Sequence, residues 1–508
     1  MPAAEELQMQ VSTRTSYWHD TANHKVHYLP LEESIQADVA IIGGGITGLT
    51  AALHLKNAGQ RVVVLEGNEI GAGTTGFTTA QLDMTTDAEL KTLVGRFGEQ
   101  VTRQVVSASR DAIDEIEARC NQFGDCDFAR IPSYDYTEIG DRPKWMKEQY
   151  ETGCRLGLPV TLTDVVPLPF HCTHAVRTDQ QGRFHAMRYL QHLAAQVHGE
   201  SSYVFEHSRA EPPEEDKPVK TRHGQVNAKN VIVATHSAFL NISQWDLRVA
   251  PYQSYVLGVR VEDDIPDALF WDDAEPYHYI RWASADDPHL LLIGGADHKT
   301  GQGNQEDDCF QQLEDYARER FKIQAVEYRW SAEWFEPVDG LPYAGRVPTW
   351  EHVFVATGFS GTGMTLGPVA GKLIADLILE RSNPLADALA PGRIDIAASA
   401  GSFLAENLNA AYRFVADRFK GAAIESLDEI GLGQGKLVTY QGKQLALYRD
   451  DRGMLHALSP ACTHAGCIVQ WNEAESTWDC PCHGGRYTAE GKIVYGPPPS
   501  DLKREEIR

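Results

Sequence analysis

The alternation of apolar and polar positions divides the chain into stretches of different character. Asp38 to Ile42 (DVAII) is a short apolar run rich in β-branched residues and flanked by polar ones, which predicts a buried strand. The glycine-rich segment Gly43–Gly48 follows, then TAALHLKNAG, a helical stretch closed by Gly59. Arg61 to Glu66 (RVVVLE) predicts a second buried strand, which completes a βαβ unit. Further apolar strands are predicted at Val231–Ala234, Leu290–Ile293 and Val353–Ala356, the last followed by a glycine-rich turn and the helix-like PVAGKLIADLILE. Beyond Pro384, ALAPGRIDIAASAG reads as a linker. Ser402 to Lys420 has helical periodicity (Phe403, Leu404, Leu408, Tyr412, Phe414, Val415, Phe419) and predicts a helix bridging two domains. From about Ile424 short strands alternate with Gly and Asp turns, an all-β pattern.

At 508 residues the chain is too long for one compact core, which fits this division. Hydrophobic residues at 42% and charged residues at 23% exclude a disordered or fibrous chain. The net charge of −25 disfavours nucleic acid and anionic membranes as partners, and favours a basic redox partner or a cationic substrate. No apolar run reaches the ~18 residues of a membrane span. The first twenty residues lack a signal peptide's basic and apolar regions and a twin arginine, so a cytoplasmic location is expected. Of nine cysteines, Cys462, Cys467, Cys480 and Cys482 fall in one short window, and such clustering predicts a metal site.

The segment GGGITG places Gly43, Gly45 and Gly48 in a G-x-G-x-x-G pattern between strand and helix. The first glycine permits the tight turn, the second lets a pyrophosphate approach the backbone, and the third lets helix and strand pack closely. The helix start at Ile46 and Thr47 offers N–H donors to phosphate. Glu66 ends the second strand, where its carboxylate can accept hydrogen bonds from ribose hydroxyls.

Three stretches resemble the D-amino-acid-oxidase family, which includes glycine and sarcosine oxidases: GAGTTGFTTAQL (71–82), SAEWFEPVDGLPYAG (331–345) and VFVATGFSGTGMTLGP (353–368). NVIVATHSAFL also looks like a strand of that family, with His236 in place of its usual glycine. The resemblance covers about residues 15–385 and implies FAD. It carries Thr74, Thr75, Ala234, Gly358, Gly361, Thr362, Gly363 and Met364 over as flavin-side residues. Some sarcosine oxidases attach FAD to a cysteine near the second stretch. None lies between Cys309 and Cys462 here, so non-covalent FAD is implied. The family builds its substrate pocket from a middle-domain sheet, where Tyr252, Tyr255, His278, Tyr279, Arg281, His298 and Lys299 are the candidates. Arg281 could clamp a substrate carboxylate.

In CTHAGC (462–467) and CPCHGGRY (480–487), Cys462 and His464 form C-x-H, and Cys480 and His483 form C-x-x-H. Two thiolates can hold one iron and two imidazoles the other. Structural zinc prefers wider spacing than C-x-H. The pattern resembles Rieske [2Fe–2S] proteins over roughly residues 424–508. In the cytochrome bc-type members a disulfide ties the two ligand loops, which implies a Cys467–Cys482 bond. Tyr487 matches their tyrosine, which hydrogen-bonds a ligand sulfur. Gly485 stands where they have a serine, and GPPPSDL resembles their proline-rich loop over the cluster.

Together these readings give an α/β plus all-β fold class. A Rossmann-type FAD-binding domain with an inserted mixed-sheet substrate domain is expected over 1–385, a linker and bridging helix over 386–423, and a small Rieske β domain over 424–508. The expected function is oxidation of an amine or amino acid by hydride transfer to flavin, with electrons leaving through the cluster to a one-electron acceptor protein or a quinone. The alternatives are an oxygen-using oxidase with a structural or sensory Rieske domain, and a flavoenzyme fed with electrons from the cluster.

Overall fold

A computed structural model describes residues 15–22, 26–140, 143–240, 248–303, 309–393, 409, 412–414, 416–419 and 421–507. Among them, the predicted βαβ unit forms as strand Ser34–Ile42, helix Ile46–Asn57 and strand Val62–Leu65. The two strands pair in parallel with Val39 opposite Val62 and Ile42 opposite Leu65. All four residues of the second strand are buried, so the sheet is covered on both faces, as a parallel sheet requires. Gln225–His236 pairs with the other edge of Ser34–Ile42, and Val353–Thr357 lies beyond it, both in parallel. Tyr203–Phe205 extends the opposite side. Helix Ile46–Asn57 packs on helix Gly363–Ile378, where Gly371 leaves room for the Thr47 carbonyl: a Cβ there would lie 2.6 Å from it. That second helix starts earlier than the sequence pattern implies and contains Pro368.

A second, larger sheet stands against this domain. Its long antiparallel strands are Ile323–Pro337, Val249–Val261 and Leu290–Lys299. Tyr279–Trp282, Leu269–Trp271, Ala129–Thr137 and His174–Arg183 continue it. The residues up to Arg393 dock back on the first domain instead of forming a linker. Leu389 is buried, and the Arg393 guanidinium donates to both carboxylate oxygens of Asp339 at 2.8 Å. Most of the predicted bridging helix, Ser402 to Lys420, lies outside the described residues; residues 412–414 are helical.

The C-terminal part is all β. Ala422–Ala423, Gly435–Tyr440, Lys443–Arg449 and Leu455–Leu458 form one sheet, and Gln470–Asn472, Thr477–Asp479, Arg486–Thr488 and Ile493–Tyr495 a second. Trp471, Trp478 and Tyr487 fill its core.

Candidate functional sites at the dinucleotide cavity and the cysteine–histidine loops

A cavity of about 1140 Å³ runs from the Rossmann unit to the large sheet. At its first end Gly43 has φ +111°, and a Cβ there would lie 2.5 Å from the Ala234 carbonyl oxygen, so only glycine fits. Gly45, at the helix N-cap, has no side chain to cap the helix; Ile46 N–H donates to Thr75 Oγ1 at 3.3 Å, and the helix start offers further backbone N–H groups to a phosphate. Glu66 accepts from Gly44 N–H at 2.8 Å and Asn68 N–H at 2.9 Å. These bonds hold its carboxylate at the cavity edge, while burial pushes its pKa up. The cavity wall takes in Gly43, Gly45, Ile46, Thr47, Glu66, Thr74, Thr75, Ala234, Gly361, Thr362, Gly363 and Met364. Two predicted residues stand behind it. Gly48 packs under the Gly43 carbonyl, and Gly358, at φ +75°, turns the chain against Pro337 and Val249. A cradle closed to Cβ atoms, a helix start with no N-cap side chain and a carboxylate at the end of the second strand suit FAD. No cysteine lines the cavity among the described residues.

The substrate-side candidates separate. Only Tyr279 lines the cavity, its hydroxyl 2.8 Å from Ser254 Oγ. Arg281 is a correction: it is fully buried and donates to the carbonyls of Thr79, Ala80, Trp282 and Ala283 at 2.6–3.0 Å. Its guanidinium lies 5.3 Å from the Trp18 ring. Burial and nearby Arg183 lower its pKa to about 9. It pins the 79–80 segment to the sheet, spends four of its five N–H donors on these carbonyls and does not line the cavity, so it is not placed to clamp a substrate carboxylate. His278 pairs with Asp272 at 2.8 Å and stacks on Tyr316, away from the cavity. His298 bonds the Tyr255 hydroxyl at 3.0 Å, and that hydroxyl also accepts from Asn472 of the C-terminal domain at 3.3 Å. Lys299 lies 5.8 Å from the Tyr252 ring, which stacks on Trp334. These five belong to the support of the sheet and to the interdomain contact.

Period-2 geometry explains the misplacement. Ser254 and Tyr255, like Asp297 and His298, are successive strand residues that point to opposite faces. The cavity takes Ser254 and Asp297, while Tyr255 and His298 face the C-terminal domain. His236 stands where the family usually has glycine. It keeps the glycine-like backbone at φ +65°, lines the cavity, and stands 6.0 Å from the Tyr495 ring. Burial lowers its pKa to about 4, so the ring is neutral at pH 7.

The second site lies on two loops of the C-terminal domain. Cys462 and Cys480 are buried with their thiols in mutual hydrogen-bonding reach, and the His464 and His483 rings are half-buried with centroids 5.0 Å apart. Two thiols inside and two imidazoles toward the surface suit a mixed-ligand [2Fe–2S] cluster. Cys467 and Cys482 form a disulfide with Cα atoms 6.5 Å apart, which removes both from the ligand set. The Tyr487 hydroxyl lies 3.2 Å from Cys462 Sγ and accepts from Thr463 N–H at 3.0 Å. At Gly485 a Cβ would lie 2.6 Å from Pro498 and 3.3 Å from Cys462 Sγ, so the close proline loop leaves no room for a serine.

The two sites meet. Val494, Tyr495, Gly496, Pro498 and Pro499 of the C-terminal domain form part of the cavity wall. Tyr495 and Thr74 share a hydrogen bond of 2.5 Å, and Thr74 Oγ1 also lies 2.9 Å from the Glu333 carbonyl oxygen. Gly484, beside His483, packs on Pro251 and the Glu333 carboxylate. Gln302 donates to the Pro481 carbonyl at 3.1 Å. No helix among the described residues is long and apolar enough to cross a membrane.

Residues 38–377 match the family described as FAD dependent oxidoreductase, and residues 422–505 match the Rieske [2Fe-2S] domain. A Rieske 2Fe-2S iron-sulfur protein of Bacillus subtilis, YhfW, is 30% identical over 97% of both chains. The gamma-glutamylputrescine oxidoreductase of Escherichia coli is 28% identical over 72% of this chain and 88% of its own. Among solved structures, glycine oxidase from Geobacillus kaustophilus shares the fold with a TM-score of 0.59 at 19% identity, covering 71% of this chain and all of its own. L-proline dehydrogenase from P. horikoshii does so with 0.59 at 18%, covering 72% and 98%. With the cavity and the paired loops in place, these matches establish that the chain belongs to the FAD-dependent oxidoreductase family and carries a Rieske [2Fe–2S] domain at its C-terminal end.

Proposed function

We propose that this protein oxidises an amine or amino acid at FAD and passes the electrons through the Rieske cluster to an external one-electron acceptor, a protein or a quinone. The observation that carries this reading is the shared wall: the Rieske segment Val494–Pro499 closes the cavity in which Glu66 and the helix start at Ile46 would hold FAD. When bound, FAD supplies two-electron hydride chemistry and the cluster one-electron chemistry. Histidine ligation raises a Rieske potential to roughly −150 to +300 mV, against about −400 mV for plant-type ferredoxins, which favours flow from flavin to cluster. Cys462, Cys480, His464 and His483 would hold the cluster, and the Phe359–Met364 turn would cover the flavin. Relatives bearing the names gamma-glutamylputrescine oxidoreductase, glycine oxidase and L-proline dehydrogenase support a C–N bond as the point of attack.

The test is His483→Ala in the FAD-loaded protein. Turnover with a one-electron acceptor is expected to be lost, while a single reduction of the flavin by substrate without oxygen persists. Loss of both with FAD still bound, or of neither, overturns the relay.

A further inference from the structure

On the side of the cavity away from Glu66, the wall is acidic and aromatic. Asp83, Asp135 and Asp297 line it, with Asp87, Glu89, Asp273 and Glu275 at its exposed parts. Trp271, Tyr279 and Trp334 supply ring surface. Among the described residues, the arginines in the wall are Arg209 and Arg222 and belong to the nucleotide end: Arg209 flanks Gly67, and Arg222 follows the Ala210–Thr221 bridge. No lysine lines the cavity among the described residues.

Among the described residues, Asp83, Asp87, Asp135 and Asp297 have no cationic hydrogen-bond partner. Asp83 accepts from Thr85 and from Gln181 at 2.8 Å, Asp87 from Gly361 N–H, and Asp297 Oδ1 from Ser254. Every one of these donors is neutral. The second oxygen of Asp297 is buried with no hydrogen-bond partner. An enclosed carboxylate without a counter-charge is costly, and neighbouring carboxylates raise the cost. Burial and the neighbouring acids accordingly push Asp297 and Asp87 up to about 7 and Asp135 to about 8; Asp87 is so affected although its surface is open to the cavity. Arg281, the expected clamp for a substrate carboxylate, is committed to backbone carbonyls.

Resting on the function proposed above, we infer that the substrate is an aliphatic amine with at least two positive charges, a diamine or polyamine, and not an α-amino acid. One ammonium group takes the place of the missing counter-charge among Asp135, Asp297 and Asp83, and the methylene chain lies along the rings of Trp271 and Trp334. The reacting ammonium group gives one proton to the cavity carboxylates. With FAD bound to accept hydride, the neutral amine R–CH2–NH2 would lose hydride from its α-carbon and become R–CH=NH2⁺. Water converts that product to R–CHO and NH4⁺, so charge and atoms balance.

The FAD-loaded, full-length protein is mixed without oxygen with cadaverine, spermidine, n-pentylamine, glycine, sarcosine and L-proline, and loss of visible flavin absorbance is followed. Cadaverine or spermidine is expected to reduce the flavin, with a half-saturating concentration at least about tenfold below that of n-pentylamine, the order of one charge-assisted contact. Asp297→Asn and, separately, Asp135→Asn should each narrow that ratio. Should one variant fail to fold, the other and the wild-type ratio still decide. Reduction by the amino acids but not the diamines overturns this inference and leaves the broader function standing, as does equal affinity for cadaverine and n-pentylamine. Flavin that no compound reduces overturns both.

Discussion

The Tyr495 hydroxyl of the Rieske domain and Thr74 Oγ1 of the FAD domain share a hydrogen bond of 2.5 Å across the interdomain boundary. The Tyr495 ring also stands 6.0 Å from the His236 ring, so one side chain touches two elements of the cavity wall. Burial raises the Tyr495 pKa well above that of free tyrosine, so the phenol stays protonated throughout the working range.

Tyr495→Phe keeps the ring and removes this bond, whose net worth is about 1 kcal/mol. Steady-state turnover with a one-electron acceptor is expected to fall several-fold, while the rate of the first flavin reduction by substrate holds. Stopped-flow absorbance separates the two; an equal fall in both rates would make Tyr495 a part of the substrate site.

Retention of FAD should depend on Glu66 and on no covalent bond. Acid or heat is expected to release the flavin into the supernatant. Glu66→Ala removes a carboxylate that also braces Gly44 and Asn68. Charge-assisted bonds are worth roughly 1.5–3 kcal/mol, so retention should weaken by about tenfold or more. Flavin content per chain after gel filtration measures it.

The disulfide Cys467–Cys482 closes a loop of sequence separation 15 and ties together the two segments that carry the cluster ligands. For a loop of that size the stabilisation is about 3 kcal/mol. Replacing both cysteines by serine should lower the temperature at which the cluster bleaches. The content of about two irons and two labile sulfides, and the reduced EPR signal of a mixed histidine–cysteine site, should remain. Zinc in place of iron would contradict the assignment.

Acid should destabilise the FAD domain through His185. The ring is buried beneath Tyr17 and Trp18, and burial, with Arg188 and Arg281 nearby, lowers its pKa to about 3. The unfolded chain takes up this proton near pH 6.5 and the folded one holds out to about 3. Its contribution is therefore complete above pH 6.5 and is lost as pH falls through that window. The cavity carboxylates act in the opposite sense, since their raised pKa values let the folded state bind protons first. Comparison of wild type with His185→Gln cancels them: the melting temperature of the variant relative to wild type should rise as pH is lowered from 7 to 4. A difference independent of pH would mean that the fold leaves the His185 pKa where the unfolded chain has it.

The local sequence determined the parts whose chemistry is local. G-x-G-x-x-G between a strand and a helix, with Glu66 at the end of the next strand, left little choice of fold, because a Cβ at Gly43 meets the Ala234 carbonyl. C-x-H and C-x-x-H set the cluster ligands for the same reason: each pair is brought together by its own loop. The substrate wall is different. It gathers Asp83, Asp135, Trp271, Asp297 and Trp334 from five separate segments, and no spacing along the chain brings these together. Within a strand, adjacent residues point to opposite faces, so choosing His298 over Asp297 depends on which face meets the cavity. Arg281 had the residue type of a carboxylate clamp; only the fold placed four carbonyl oxygens around it. The meeting of the two cofactor sites is likewise a tertiary fact: Tyr495 and Thr74 lie 421 residues apart in the chain, and the packing of the Rieske domain against the large sheet is what makes them neighbours.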